Sequence, residues 1–263
     1  MDAAFLSLVV LAVVAAVVGV VWYQQARKRR IEASLEALLA RDPRWRRDTT
    51  LCGRGAEQLA GRCPATPRGD RRYGLEHVVA GPLDVVALGA PRTCWASCGI
   101  WWYEQEHTST DSNGRTSRTY SRTDVPVTAV ALPVAVPTEI AIGAESLFGR
   151  IGLTRGGQQV ESDAFNRRFR VRGGDPALTI QLLDAQLQHH LLEHYPKRSL
   201  WLAGDLAVIG GDTDRADPSL YGPIRALPGL QADAVDLLGR VPAQFWRAVG
   251  LDGDQPGSAD QQR

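Results

Sequence analysis

From Ala3 to Tyr23 the chain reads AAFLSLVVLAVVAAVVGVVWY, 21 residues without a charge. Ser7 alone breaks the apolar surface, so the segment lacks the polar face that a helix of a soluble core presents. A helix needs about 20 such residues to cross a hydrocarbon layer of about 30 Å, and the run predicts a transmembrane anchor over residues 1–26. Trp22 and Tyr23 fall where an interfacial aromatic belt would put them. A cleaved signal would carry a basic start and an apolar run of about 7–15 residues; here the only charge before the run is Asp2. The cluster Arg27, Lys28, Arg29 and Arg30 follows at once. Basic flanks resist translocation, which predicts an N-terminus outside and everything after residue 30 in the cytoplasm.

Past the cluster the period becomes helical. Ile31, Leu35, Leu38 and Leu39 lie on one stripe, and Pro43 follows, so the helix continues to about residue 41. Residues 42–74 are rich in Arg, Gly and Pro and read as a juxtamembrane linker. Its Arg44, Arg46, Arg47, Arg54, Arg62, Arg68, Arg71 and Arg72 form either a solvated surface or a patch for phosphate and lipid headgroups.

From residue 75 short β-branched runs bounded by Gly or Pro take over. Val78-Val79, Val85–Leu88 and Ile100–Tyr103 are predicted strands, and Asn113-Gly114 marks the tip of a long hairpin continued by Thr116–Thr123 and Val125–Val136. Glu139–Ile142, Gln158–Glu161 and Arg167–Arg172 are read as three more strands. Asp175-Pro176 supplies an N-cap and an N1 proline for a helix to about Tyr195. A second hairpin is expected across Gly204-Asp205, then short helices at about 230–239 and 242–249. The fold class is therefore α+β: an N-terminal transmembrane helix, then a hairpin-rich mixed sheet packed with one long and two short C-terminal helices. The domain occupies residues 75–251, and 252–263 reads as a disordered tail.

Composition changes little in this picture. The net charge of +1 gives no electrostatic footprint for nucleic acid. Cys52, Cys63, Cys94 and Cys98 are too widely spaced for a zinc knuckle, and a cytoplasmic domain predicts free thiols. On a strand, Cys94 and Cys98 would face the same side about 13 Å apart, too far for a disulfide. Trp95, Trp101 and Trp102 are expected in the core, because a stacking groove would interleave basic residues with the rings.

The sharpest chemical pattern is His190-Leu-Leu-Glu193-His194, which spells the inverted zincin motif H-x-x-E-H. Two histidines one helical turn apart could hold zinc while the glutamate activates water. Such sites recruit a distant acidic ligand, typically a glutamate, and no glutamate follows His194. A continuous helix would also place His194 on the buried stripe of Ile180, Leu183, Leu187 and Leu191. No catalytic, cofactor-binding or metal residue is therefore assigned, and a zinc peptidase at His190, Glu193 and His194 stays as the alternative. There is no G-x-S-x-G elbow and no phosphate loop.

Several segments together resemble a known family. Val127-x-x-x-x-Leu132-Pro133 precedes Glu161-Ser162-x-x-Phe165-Asn166-Arg167-x-Phe169-x-Val171; Asp175-Pro176, Leu182-Leu183, Leu191-Leu192 and the pair Trp201, Gly204 follow, then Val241-Pro242-x-x-Phe245-Trp246. This is similar to a family of uncharacterised bacterial, actinobacterial-type, membrane-anchored proteins. The resemblance spans roughly residues 76–250 and implies a cytoplasmic α+β domain of unknown function behind an N-terminal anchor. The four cysteines and the Arg-rich 42–74 segment depart from it. The reading of the residues themselves is a single-pass, membrane-tethered binding or scaffolding module without a cofactor. Its expected partners are the lipid bilayer, anionic headgroups at Arg27–Arg30, and another protein.

Overall fold

One helix, α1, runs unbroken from Ala3 to Leu39. The computed structural model of the protein describes residues 3–49, 57–59, 69–87, 89–112, 114–144, 157–211 and 221–251; the side chains at 3–13, 27, 34 and 221–223 lie outside that description. The C-terminal turns of α1 carry the predicted stripe: Ile31, Leu35 and Leu38 are buried in the main core, and Leu39 packs against it. The stripe is therefore part of the folded domain, which reaches back before residue 75.

The remaining strands build one antiparallel sheet. Arg46–Arg47 (β1), Tyr73–Ala87 (β2), Ala90–Thr110 (β3), Thr116–Ala144 (β4) and Phe169–Gly173 (β5) pair in that order, and Ser199–Gly210 (β6) pairs with β4. The short runs read from the sequence fuse into long strands: Val78-Val79 and Val85 to Ala87 both belong to β2, and Thr116–Thr123, Val125–Val136 and Glu139–Ile142 are all β4. Prolines account for part of the splitting into short runs. A proline has no N–H for a ladder, yet β4 contains Pro133 and Pro137, where its register with β6 slips between Ala131 and Val136 and again before Ile140. The chain bends there and continues.

Gly204 corrects a second expectation. It does not turn a hairpin, since β6 passes through it as one strand. With φ of 56° it sits opposite Val136, between the two blocks where β6 meets β4. Glycine accepts that left-handed backbone without a Cβ clash. The turn expected at Asn113-Gly114 shows at Gly114, which has φ of 75° and whose amide donates to the Asp111 carbonyl, while Asn113 lies outside the described residues.

The helices depart from expectation at their joints. Residues 163–168, read as the approach to a strand, form a short helix α2 (Asp163–Arg168), capped by the Ser162 hydroxyl accepting from the Phe165 amide. The Asn166 side chain bonds both the amide and the carbonyl of Val160, fastening the preceding loop. The long helix expected from Asp175 is two: α3 (Pro176–Leu182) and α4 (Ala185–His194). Asp184 breaks it, because its carboxylate accepts from the Leu187 amide as a fresh N-cap. Helix α5 (Tyr221–Gly239) is longer than expected and α6 (Ala243–Ala248) closes the fold. Gln158 makes only an isolated bridge to Val171.

The main core lies between one face of the sheet and the helices. Cys98, Ile100, Val130, Ile140 and Ile209 from the sheet meet Leu182, Leu187, Leu227, Leu237 and Trp246 from the helices. A smaller cluster covers the opposite face, with Trp101, Tyr103, Trp201 and Val208. Of the three tryptophans expected inside, Trp101 is buried and Trp102 partly so. Trp95 is exposed, because its strand position points it to the outer face near the β2–β3 turn.

Candidate functional site

The exposed half of α1 is the largest chemical anomaly of the surface. Val14, Val17, Val18, Val20, Val21, Trp22 and Tyr23 are 47–70 % exposed, on every side of the helix. Helical periodicity hides none of them against the domain, whereas eight residues later Ile31 is buried. Burying a Val side chain is worth about 1.5–3 kcal/mol, so seven such large apolar side chains in water would be a large standing penalty. Among the described residues no helix is long and apolar enough to cross a membrane. In α1 the described side chains begin at Val14, and the apolar stretch Ala3 to Val13 lies outside them. Lys28, Arg29 and Arg30 are exposed just below the aromatic pair.

The Arg-rich segment is less open to a ligand than its composition suggests. Arg44 reaches Asp42 at 2.8 Å and Asp84 at 3.3 Å, and Arg47 bridges Glu32 at 2.5 Å and Glu36 at 2.7 Å. Arg47 therefore latches β1 to α1. Between them, Trp45 is buried with its indole N–H on the Pro82 carbonyl, and its ring lies on Gly81 so closely that a Cβ there would meet it at 2.7 Å. Arg54, Arg62 and Arg68 lie outside the described residues, as do Cys52 and Cys63.

The histidine motif sits on α4 as expected, but the break at Asp184 rotates its phase. His190 is the half-hidden histidine at 12 % side-chain exposure, and His194 is 58 % exposed. Ile180, expected on the buried stripe, is exposed as well. His190 Nε2 lies 2.5 Å from Asp236 Oδ2 of α5, the Tyr195 hydroxyl donates to the same oxygen at 2.7 Å, and Arg240 Nε donates to Oδ1 at 3.0 Å. Burial opposes ionisation of Asp236, but these three donors outweigh it and hold its carboxyl below the usual range. Burial, then the bond to Asp236, pushes the Tyr195 phenol up. Glu193 turns away from His190 to meet His189 at 3.3 Å and His194 at 3.8 Å. Among the described residues no group of three or more His, Cys, Asp or Glu side chains could hold a metal ion. What the arrangement does chemically is join α4 to α5 through one carboxylate. Asp236 carries no sequence signal for this role, being 46 residues from its histidine.

Cys94 and Cys98 are free and buried. Burial pushes the Cys98 thiol up to about 12, although Thr128 Oγ1 at 3.1 Å favours the thiolate, and Cys94 is raised for the same reason. Neither is a nucleophile at neutral pH.

No protein-family model matches the chain, and no curated protein or solved structure matches it either.

Proposed function

We propose that the protein is a membrane-tethered, non-enzymatic binding or scaffolding module whose domain is held rigidly beside the inner face of the membrane. The carrying observation is the continuity of α1. One helix bears a fully exposed apolar half, Val14 to Tyr23, and a half whose Ile31, Leu35 and Leu38 are locked into the core. Tyr23 and Ile31 are eight residues apart, about 12 Å along the axis, with the basic cluster between them. Lipid is the medium that removes the penalty of the exposed half, and the cluster suits anionic headgroups at about 1 kcal/mol per basic side chain. The same continuity leaves no loose linker between anchor and domain. The family resemblance, with its anchored α+β domains, points the same way.

Fractionation of expressing cells tests the reading. The full chain is expected in the membrane fraction and to resist alkaline carbonate, while a chain lacking residues 1–26 is expected in the soluble fraction, still folded. Reporter fusions at the C-terminus should be active only in their cytoplasmic form. A full chain that is soluble without detergent would refute the tether.

A further inference from the structure

Beyond Tyr103 and Thr123 the β3–β4 hairpin leaves the sheet as a two-stranded arm. Asp70 and Arg72 cap the outer edge of β3 as far as Glu106: the Asp70 amide donates to the Glu104 carbonyl, the Glu104 amide to the Arg72 carbonyl, and the Glu106 amide to the Asp70 carboxylate. The outer edge of β4 differs. Among the described residues, Thr116 to Val125 pair with β3 alone, and β6 joins β4 only from Val127. A two-stranded ribbon is marginal in water, and an open edge of this length is a template for another strand.

The ladder fixes which backbone groups are open. The β3–β4 register is unbroken from Ala96↔Val130 to Thr110↔Thr116. The groups of Glu104 point away from β4, so its partner Arg122 points its own N–H and C=O away from β3. At the same parity, the Pro126 carbonyl points out and accepts from the Gly211 amide. The outward residues of the open stretch are therefore 116, 118, 120, 122 and 124. Each offers a donor and an acceptor.

We propose that this edge pairs with the same edge of a second copy of the chain, antiparallel about a two-fold axis at Ser121. In that register Arg118 lies opposite the partner's Asp124, whose carboxylate already holds Arg122 of its own chain at 2.7 Å and would gain a second cation. Tyr120 lies opposite the partner's Arg122, which Glu76 and Asp124 hold over Trp102. A shift by one residue on each strand, centred on Tyr120, would set Arg118 against the partner's Arg122 instead, and like charges directly opposite are destabilising. Arg118 is the most available of these groups: its side chain is 69 % exposed, with Glu106 at 3.3 Å. On the other face of the arm Thr119 lies opposite the partner's Thr123 and Ser121, whose hydroxyl meets the His107 ring at 2.6 Å, lies opposite itself. Four outward residues on each chain, 118 to 124, then complete their backbone bonds. Parity confines the pairing to the even-numbered residues and charge disfavours the register centred on Tyr120; the self-complementary pair of Arg118 with the partner's Asp124 is why the occupant is a second copy.

Cysteine scanning of the full chain in mild detergent tests the register. Ser121 and its symmetry mate would be a non-hydrogen-bonded pair with Cα atoms about 4.5 Å apart, inside the range for a disulfide. Ser121→Cys is expected to cross-link to a dimer under mild oxidation at least tenfold faster than Thr119→Cys or Thr123→Cys alone. Mixing the last two is expected to give the 119–123 heterodisulfide. Each variant keeps the four native cysteines, so the unsubstituted chain sets the background. Arg118→Glu in the Ser121→Cys chain is expected to slow the cross-link several-fold at low salt. Ser121→Cys reacting no faster than Thr119→Cys would overturn the proposal, as would a mixture that reacts no faster than its components. Neither result bears on whether α1 is anchored in a membrane.

Discussion

His190 and Asp236 meet across two helices, Nε2 to Oδ2 at 2.5 Å, where α4 crosses α5. The carboxylate also serves Tyr195 and Arg240, so one side chain satisfies three donors from two elements. The zincin-like spelling of α4 thus supplies one partner of a structural tie, and its second histidine faces solvent.

Removing the hub should cost more than removing either histidine. Asp236→Ala leaves the Tyr195 hydroxyl and the His190 imidazole without their acceptor, and a buried group left unmade costs about 1–3 kcal/mol. At about 2–4 °C per kcal/mol for a chain of this size, the melting temperature is expected to fall by several degrees. His194→Ala, at an exposed site, is expected to stay within about 0.5 kcal/mol. Thermal melts of both variants at neutral pH check the contrast.

The same carboxyl gives a pH signature. Its folded pKa lies below its ordinary value, so its stabilisation is fully present above that ordinary value, about 3.9. It is lost as pH falls through the depressed folded value. The stability gap between the natural chain and Asp236→Asn should therefore shrink as pH falls below about 4. Denaturant titrations at several pH values would reveal a gap that instead widened on acidification, contrary to this assignment.

Leu35 tests whether the end of α1 is core or tether. Its side chain is 2 % exposed, and truncation of a buried leucine costs about 2–5 kcal/mol. Leu35→Ala should destabilise the domain by that amount even in a chain lacking residues 1–26. A chain starting at residue 41 should fare worse still, having lost Ile31, Leu35 and Leu38 together.

Cys94 and Cys98 are expected to resist alkylation in the native protein and to react on unfolding. Mass-spectrometric mapping after iodoacetamide treatment at pH 8 separates the two conditions. Labelling of Cys98 in the folded state would contradict its burial and its raised thiol.

Gly81→Ala should be a severe change at a position that looks permissive. Its Cβ would lie 2.7 Å from Trp45 Cγ and 2.9 Å from the Trp45 Cα, so backbone must move. Overpacking of this kind costs about 1–3 kcal/mol, and the Trp45 fluorescence should shift with it.

The parts of this fold legible in the sequence are those whose signal is local. The stripe Ile31, Leu35, Leu38, the Asp175 cap and the Gly114 turn each depend on a few adjacent residues, and each stands as read. Strand lengths were not legible, because Pro137 resembles a strand end until β6 supplies a partner that bends with it. Gly204 has the look of a hairpin turn for the same reason. The placement of His194 failed through phase: Asp184 restarts the helix, and a wheel drawn through the break puts His194 on a buried stripe, whereas its side chain is 58 % exposed. Asp236 was invisible, since only tertiary packing brings it to α4.

The packing of α1 on α5 also sets an order of events. The stripe of Ile31, Leu35 and Leu38 leaves the ribosome early, whereas Leu227, Leu230 and Ala234, which share its core, belong to α5, about 190 residues later. At about 5–20 residues per second, the first helix waits on the order of ten seconds or more for the last long one. A nascent chain already fixed at its N-terminus would meanwhile hold an unsatisfied apolar stripe, and its domain would close only after α5 has been made.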